Sequence, residues 1–174
     1  MKTTHWWLLV TLSIMLLVPA CGDPPPPSAD ESAGRDDLVG AWRSKIRFNT
    51  GALTEIRDLE FLCVFNLGGT MTESSNYDGA PPVPPAYGVW KKKGPHQFEA
   101  KYMFYLTSPP GTFEDIAKGG GWTPSGYGVL TESVTLSADG QSYSSTIAYN
   151  LFDQSGKSVR GGGTATGNGA RITF

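Results

Sequence analysis

The chain is short of the residues that most catalytic and metal centres require. It has two histidines and two cysteines in 174 residues. Metal sites draw their ligands from clusters at short spacings, which this pattern does not supply, so neither a metal nor a cofactor is expected. His5 lies in a leading apolar segment, and His96 stands beside a hairpin turn, where it reads as a surface residue rather than a general base. Gly119-Gly120-Gly121 lacks the Lys and Ser/Thr of a phosphate loop. An excess of basic charge is missing too. With 14 Lys plus Arg against 16 Asp plus Glu, the net charge is -2, which excludes an ordinary nucleic-acid binder. No long helical stripe occurs, and Phe113–Lys118 is enough for one turn only. Turn formers, by contrast, are plentiful, at 22 Gly and 13 Pro. A hydrophobic fraction of 39% is enough to build a core, so disorder along the whole chain is excluded.

The one sustained apolar run is at the start. Lys2 precedes Trp6–Val18, which is too short to span a bilayer comfortably, since that takes about 20 apolar residues. A basic start, a short apolar run and the small residue Ala20 predict a secretory signal peptide over residues 1–20. Cleavage after Ala20 makes Cys21 the new N-terminus, either as a free thiol or as a lipidated one. The segment 21–37 contains four consecutive prolines, Pro24–Pro27, then a polar run, and reads as an extended tether. Leu17-Val18-Pro19-Ala20-Cys21 resembles the lipobox of bacterial lipoproteins, with Val18 where Leu is usual and Pro19 at the middle position. That resemblance implies a diacylated Cys21 and a membrane partner through it, in the bacterial cell envelope. With Gly22 rather than Asp directly after the Cys, it implies the periplasmic face of the outer membrane over the inner membrane. Cys63 then has no disulfide partner. Its neighbours Phe61, Leu62, Val64 and Phe65 mark it as a buried, inert thiol.

Residues 38–174 alternate with a period of two almost throughout. Trp42, Ser44, Ile46 and Phe48 share one face, opposite three basic residues. Phe98, Ala100, Tyr102 and Phe104 share another, as do Tyr143, Ser145, Ile147, Tyr149 and Leu151. Eight strands are expected, starting near Val39, Leu59, Thr70, Tyr87, Gln97, Gly128, Ser142 and Lys157. Tight turns at Leu67-Gly68-Gly69, Lys93-Gly94-Pro95 and Ala138-Asp139-Gly140 alternate with long links at Thr50–Asp58, Asn76–Ala86 and Thr107–Gly126. In an antiparallel meander this places all three long links at one end. Hiding the apolar face and removing free edges predicts an all-β, up-and-down barrel. The glycines of Gly161–Gly163 and Gly167–Gly169 fit either one bulged last strand or two short ones.

Leu38-Val39-Gly40-Ala41-Trp42 resembles the Gly-x-Trp signature that opens the first strand of lipocalins and related calycin barrels. Gly68–Glu73 and Gly88-Val89-Trp90 also resemble uncharacterised secreted bacterial barrels. The lipocalin resemblance implies a late Arg across the Trp face, a role open to Arg171, and a cup that holds a small apolar molecule. The family's middle signature and its C-terminal helix have no counterpart here.

A small hydrophobic or amphipathic ligand is the leading expectation. Its site is placed among Tyr102, Phe104, Glu132, Ile147 and Tyr149, beneath a rim that includes Phe113, Trp122, Tyr77 and Tyr127. An eight-stranded barrel is equally able to be packed solid. In that case the chain is a structural or protein-interaction lipoprotein of the envelope. A cofactor-free isomerase or cyclase is the third alternative, and a monomer is expected. Glu132, and less so Glu73, reads as an inward carboxyl, either meeting a ligand or making a structural hydrogen bond. Intact mass of the native protein tests the anchor: residues 1–20 absent and lipid on Cys21 is the expected result, and an unmodified Cys21 refutes it.

Overall fold

The computed structural model describes residues 38–77, 84–118 and 121–174. The expected signal peptide and tether, with Cys21, lie outside the described residues. The chain forms a closed barrel of eight antiparallel strands in sequence order. They are β1 (Gly40–Thr50), β2 (Leu59–Phe65), β3 (Thr70–Ser75), β4 (Ala86–Gly94), β5 (Gln97–Ser108), β6 (Thr123–Leu136), β7 (Ser142–Asp153) and β8 (Ser158–Arg171). One short helix, α1 (Phe113–Ala117), sits in the β5–β6 connection. β6 begins at Thr123, five residues before the position expected from the alternation. Pairs from Tyr105↔Tyr127 to Ser108↔Thr123 carry the β5–β6 ladder toward the loop end, past a bulge after Leu106. The last strand is one strand, with register shifts opposite Tyr149–Phe152.

The alternation translates directly into an inside and an outside. Trp42, Ser44, Ile46 and Phe48 are buried, while Arg43, Lys45 and Arg47 face water. Leu59, Phe61, Cys63 and Phe65 do the same on β2. Outside, Arg43 pairs with Glu60 across β1 and β2, a contact worth little at such exposure.

β8 differs from its neighbours. Its buried positions are Gly163, Ala165, Gly167 and Gly169, so it presents almost no side chains to the interior. The bulk comes from β7: a Cβ at Gly169 would strike the Tyr143 ring, and one at Gly163 the Tyr149 ring. Small residues on the closing strand are what let large β7 side chains lie across it.

One end is sealed. The connections at 66–69, 95–96 and 137–141 all fall there, as do the start of β1 and the end of β8, since Trp42 pairs with both Cys63 and Arg171. The Trp42 indole is wholly buried and donates to Leu38 O at 3.0 Å. The Arg171 guanidinium lies 4.3 Å from the ring centroid. It donates to Val39 O at 2.7 Å and to Gly140 O at 2.8 Å. Gly40 has φ +134°, and a Cβ there would crowd the guanidinium at 2.8 Å. The Gly-x-Trp triplet therefore has a physical reason: the glycine makes room for the cation that covers the indole. Trp90 repeats part of the device, its indole donating to Asn66 O at 3.0 Å and packing edge-on against Phe65 and Phe98.

Replacing Arg171 with Ala removes the stacked cation and two charge-assisted bonds. We expect a loss of about 2–4 kcal/mol in urea unfolding. Arg171→Lys should recover less than half, because an ammonium cannot stack and fork at once. A loss below about 0.5 kcal/mol, the usual scale of surface substitutions, would refute this role.

Candidate functional site

The opposite end carries the connections at 51–58, 76–85 and 109–122, with a short turn at 154–157. The first of these folds inward. Tyr149, near the end of β7, is its anchor: the phenol donates to Thr50 O at 3.2 Å and accepts from Leu53 N at 3.1 Å. Gly51, at φ +93°, turns the chain where a Cβ would meet that phenol. Leu53 and Ile56 are thereby packed against the core as a partial cover.

Asn76 fastens the next connection to the first. Its side chain accepts from Glu60 N at 3.0 Å and donates to Asp58 O at 2.8 Å, and its own N–H donates to Glu60 O at 3.1 Å. Tyr77 then reaches Arg57 O with its hydroxyl at 3.4 Å.

Between these loops lies a cavity of about 240 Å³. Leu53 and Ile56 from the cover, Phe48, Leu59 and Phe61 from β1 and β2, Phe104 and Leu106 from β5, and Leu130 and Tyr149 form its apolar wall, with Pro84 at the rim. Among the described residues its polar members are Glu73, Ser75 and Tyr77, with the Tyr149 phenol committed to the β1–β2 loop. These three residues alternate along β3 and its continuation, so one column of the wall is polar and the rest is not. Small-molecule sites share this make-up, although drug-sized ligands usually occupy about 300–1,000 Å³.

The residues expected to form the site divide into three groups. Phe104 and Tyr149 line the cavity. Tyr102, Glu132 and Ile147 are buried but do not line it. Tyr102 and Glu132 each lie two residues further from the mouth than a lining residue on the same strand, Phe104 on β5 and Leu130 on β6. Phe113 and Trp122, in the β5–β6 connection, are 83% and 41% exposed and stand outside the cavity. Tyr77 is at the mouth, whereas Tyr127 turns outward on β6 and stacks on Phe152 with centroids 5.0 Å apart. The sequence reading ranked Glu132 above Glu73, yet Glu73 is the acid that meets the cavity. The signal for it was present, since alternation continues through Glu73, Ser75 and Tyr77 beyond the last paired residue of β3.

Below the cavity runs a belt of buried polar groups. Tyr102 donates to Glu132 Oε2 at 2.9 Å. Ser145 lies close to the other oxygen, but neither Ser145 Oγ nor Glu132 Oε1 completes a hydrogen bond of good geometry. The Ser44 and Tyr143 hydroxyls share a hydrogen bond of 2.5 Å, and Tyr143 also engages the Cys63 thiol. Burial, then the charges of Glu132 and Glu73, push the Cys63 thiol well above its ordinary range, which makes it a poor nucleophile. Burial likewise raises Glu132, against the lowering effect of Ser145 and Tyr102. Among the described residues no group of His, Cys, Asp and Glu is arranged to hold a metal ion.

Fold and cavity together define a closed, eight-stranded, up-and-down antiparallel barrel, sealed at one end and open at the other. Comparison with family models, with curated proteins and with solved structures finds no match for the chain.

Glu132 generates a pH prediction. Because its folded pKa is raised, its stabilising neutral form is fully present below the ordinary carboxylate range and is lost as pH rises through the raised value. Glu132→Gln keeps the shape and the Tyr102 contact without the ionisation. Its urea midpoint should therefore gain on the wild type as pH rises from the ordinary carboxylate range into neutral and mildly alkaline conditions. A difference that stays constant over that range would show that Glu132 does not titrate against the fold.

Proposed function

We propose that this protein is an envelope lipoprotein, held to the membrane by a lipidated Cys21, whose barrel binds a small apolar or amphipathic molecule at the open end. The observation that carries the reading is the cavity itself. Among the described residues it has an apolar wall, one polar column, and a cover held in place by the Tyr149 phenol. A packed barrel needs none of these. The volume of about 240 Å³ suits a compact molecule, or the buried part of a longer one that protrudes between the loops. The chain begins the barrel at the sealed end, so a tether over residues 21–37 leaves the mouth turned away from the anchoring membrane.

A second reading, contact with another envelope protein, draws on the outer wall. Val64↔Thr72, Thr72↔Tyr87 and Tyr87↔Met103 are successive register partners, so they form one row across four strands. Val64, Tyr87 and Met103 in that row are exposed, as are Leu62 and Tyr105 beside it. Contiguous exposed apolar rows of this kind mark interaction sites more often than isolated apolar residues do.

Native mass spectrometry of the full-length chain from its own envelope should show a co-purifying small molecule. Adding a binder at a hundredfold excess over Kd stabilises by about 2.7 kcal/mol, or roughly 5–10 °C in Tm for a domain of this size. Phe104→Trp fills the cavity from the β5 side and should abolish the shift while the unliganded Tm stays within a few degrees. Phe104 suits this test better than Tyr149, whose loss would also release the β1–β2 loop. If nothing co-purifies, and fatty acids, sterols, retinoids and small aromatics give no shift, the binding reading falls and the outer wall takes its place.

A further inference from the structure

We infer that a groove on the outer wall, between the β1–β2 connection and β1, is a binding site for a phosphate group, which Arg57 grips from the connection and Lys45 and Arg47 from the strand. The site is separate from the cavity and does not rest on the binding reading above.

The groove arises where a ladder stops. β1 and β2 pair from Gly40↔Phe65 to Ile46↔Leu59. The residues before Leu59 leave the sheet, and a space of about 430 Å³ opens there, edged by Lys45, Arg47, Arg57, Asp58 and Glu60. The backbone holds Arg57 in place. Its carbonyl accepts from the Tyr77 hydroxyl at 3.4 Å, and that of Asp58, at φ 52°, accepts from the Asn76 side chain at 2.8 Å. Lys45 and Arg47 stand two residues apart on the outward face of β1, so their side chains rise from points about 7 Å apart. Ile56 and Leu59 line both the groove and the cavity, so the two lie on either side of the same connection.

Three cations thus converge on one groove in a chain whose net charge is -2. None of the three has an ion-pair partner or a side-chain hydrogen bond among the described residues. Glu60 is already committed, since Arg43 donates to its two oxygens at 2.8 and 2.9 Å. Asp58 is the remaining carboxylate among the described residues of the groove, and Glu55 of the same connection does not line it. Cations gathered with too few acids repel one another, and an anion between them relieves that repulsion. The donor set favours phosphate over a single carboxylate. Two guanidinium forks pair with its oxygens in bidentate geometry, and the ammonium adds a point charge.

Inorganic phosphate is the probe, titrated into the purified full chain at about pH 7.5, where a phosphate group carries close to two charges. Ionic strength is held constant with sodium chloride, and calorimetry should show saturable binding at one site. Arg47→Gln and Arg57→Gln should each weaken it about tenfold. The double variant should lose less than the product of the two, because both side chains grip one anion. Asp58→Asn should tighten binding, and Lys101→Gln, at an exposed lysine outside the groove, should change it less than about twofold. All four positions are exposed, and unchanged urea midpoints will show that each variant is folded. Glycerol phosphate and a soluble short-chain phosphatidate separate the sources. Equal affinity for the two assigns the site to a free phosphate compound, and a phosphatidate at least about tenfold tighter assigns it to a lipid headgroup. Phosphate that does not saturate, an Arg57→Gln protein that binds like the wild type, or an equal loss in Lys101→Gln overturns the site and leaves the cavity reading untouched.

Discussion

Closure of β8 onto β1 is the constraint on which the rest of this molecule depends. Eight strands with one apolar face have no stable open form, because both edge strands and the whole inner face would meet water. Closing the ring at this size leaves an interior just wide enough for side chains. The chain meets that limit by emptying one strand. Gly163, Ala165, Gly167 and Gly169 occupy almost no volume, and Tyr143 and Tyr149 from β7 lie across them. A larger residue at those positions would collide with the tyrosines. The glycine-rich end of the chain is thus a packing requirement, and it fixes where the aromatic rings stand.

The same closure sets the two ends apart. At the sealed end, Arg171 on the last strand covers Trp42 on the first and bonds to Val39 O and Gly140 O. One side chain thereby ties the start of the barrel, its last strand and the β6–β7 turn. At the open end no such plug exists among the described residues. Tyr149 spends its phenol on the backbone of the β1–β2 connection, which becomes a cover instead. Between the two ends lies the polar belt of Ser44, Cys63, Tyr102, Glu132, Tyr143 and Ser145. Buried polar groups are costly unless they are bonded, and most of these are bonded to one another. They divide an aromatic plug from an apolar cavity.

Much of the fold was legible in the residues. Strict alternation in Trp42–Phe48, Phe98–Phe104 and Tyr143–Leu151 needs no partner to be visible, and it marks both the strand and its inward face. The spacing of turn residues separated the long connections from the tight ones, and hence the two ends. The start of β6 was misplaced because Thr123-Pro124-Ser125-Gly126 resembles a loop locally. Pairing with Leu106–Ser108 and with Asp153 makes it strand. Whether β8 is one strand or two was undecided for a similar reason: glycine carries no alternation to read, and its neighbours β1 and β7 supply the ladder.

By itself, the sequence determined the class of protein: an all-β chain of about eight strands in an up-and-down barrel, with Glu73 and Glu132 as acids on apolar strand faces. Those properties follow from period and composition, which are local. Only the tertiary structure decided which inward residues reach the cavity. Glu73, Phe104 and Tyr149 do; Tyr102, Glu132 and Ile147 fill the core below; Phe113 and Trp122 stay outside. The stagger of strands around a closed ring sets the depth of each inward residue, and the inward fold of the β1–β2 connection sets where the mouth lies. Both depend on contacts between residues about a hundred positions apart, such as Tyr149 with Thr50, which no periodicity along the chain records.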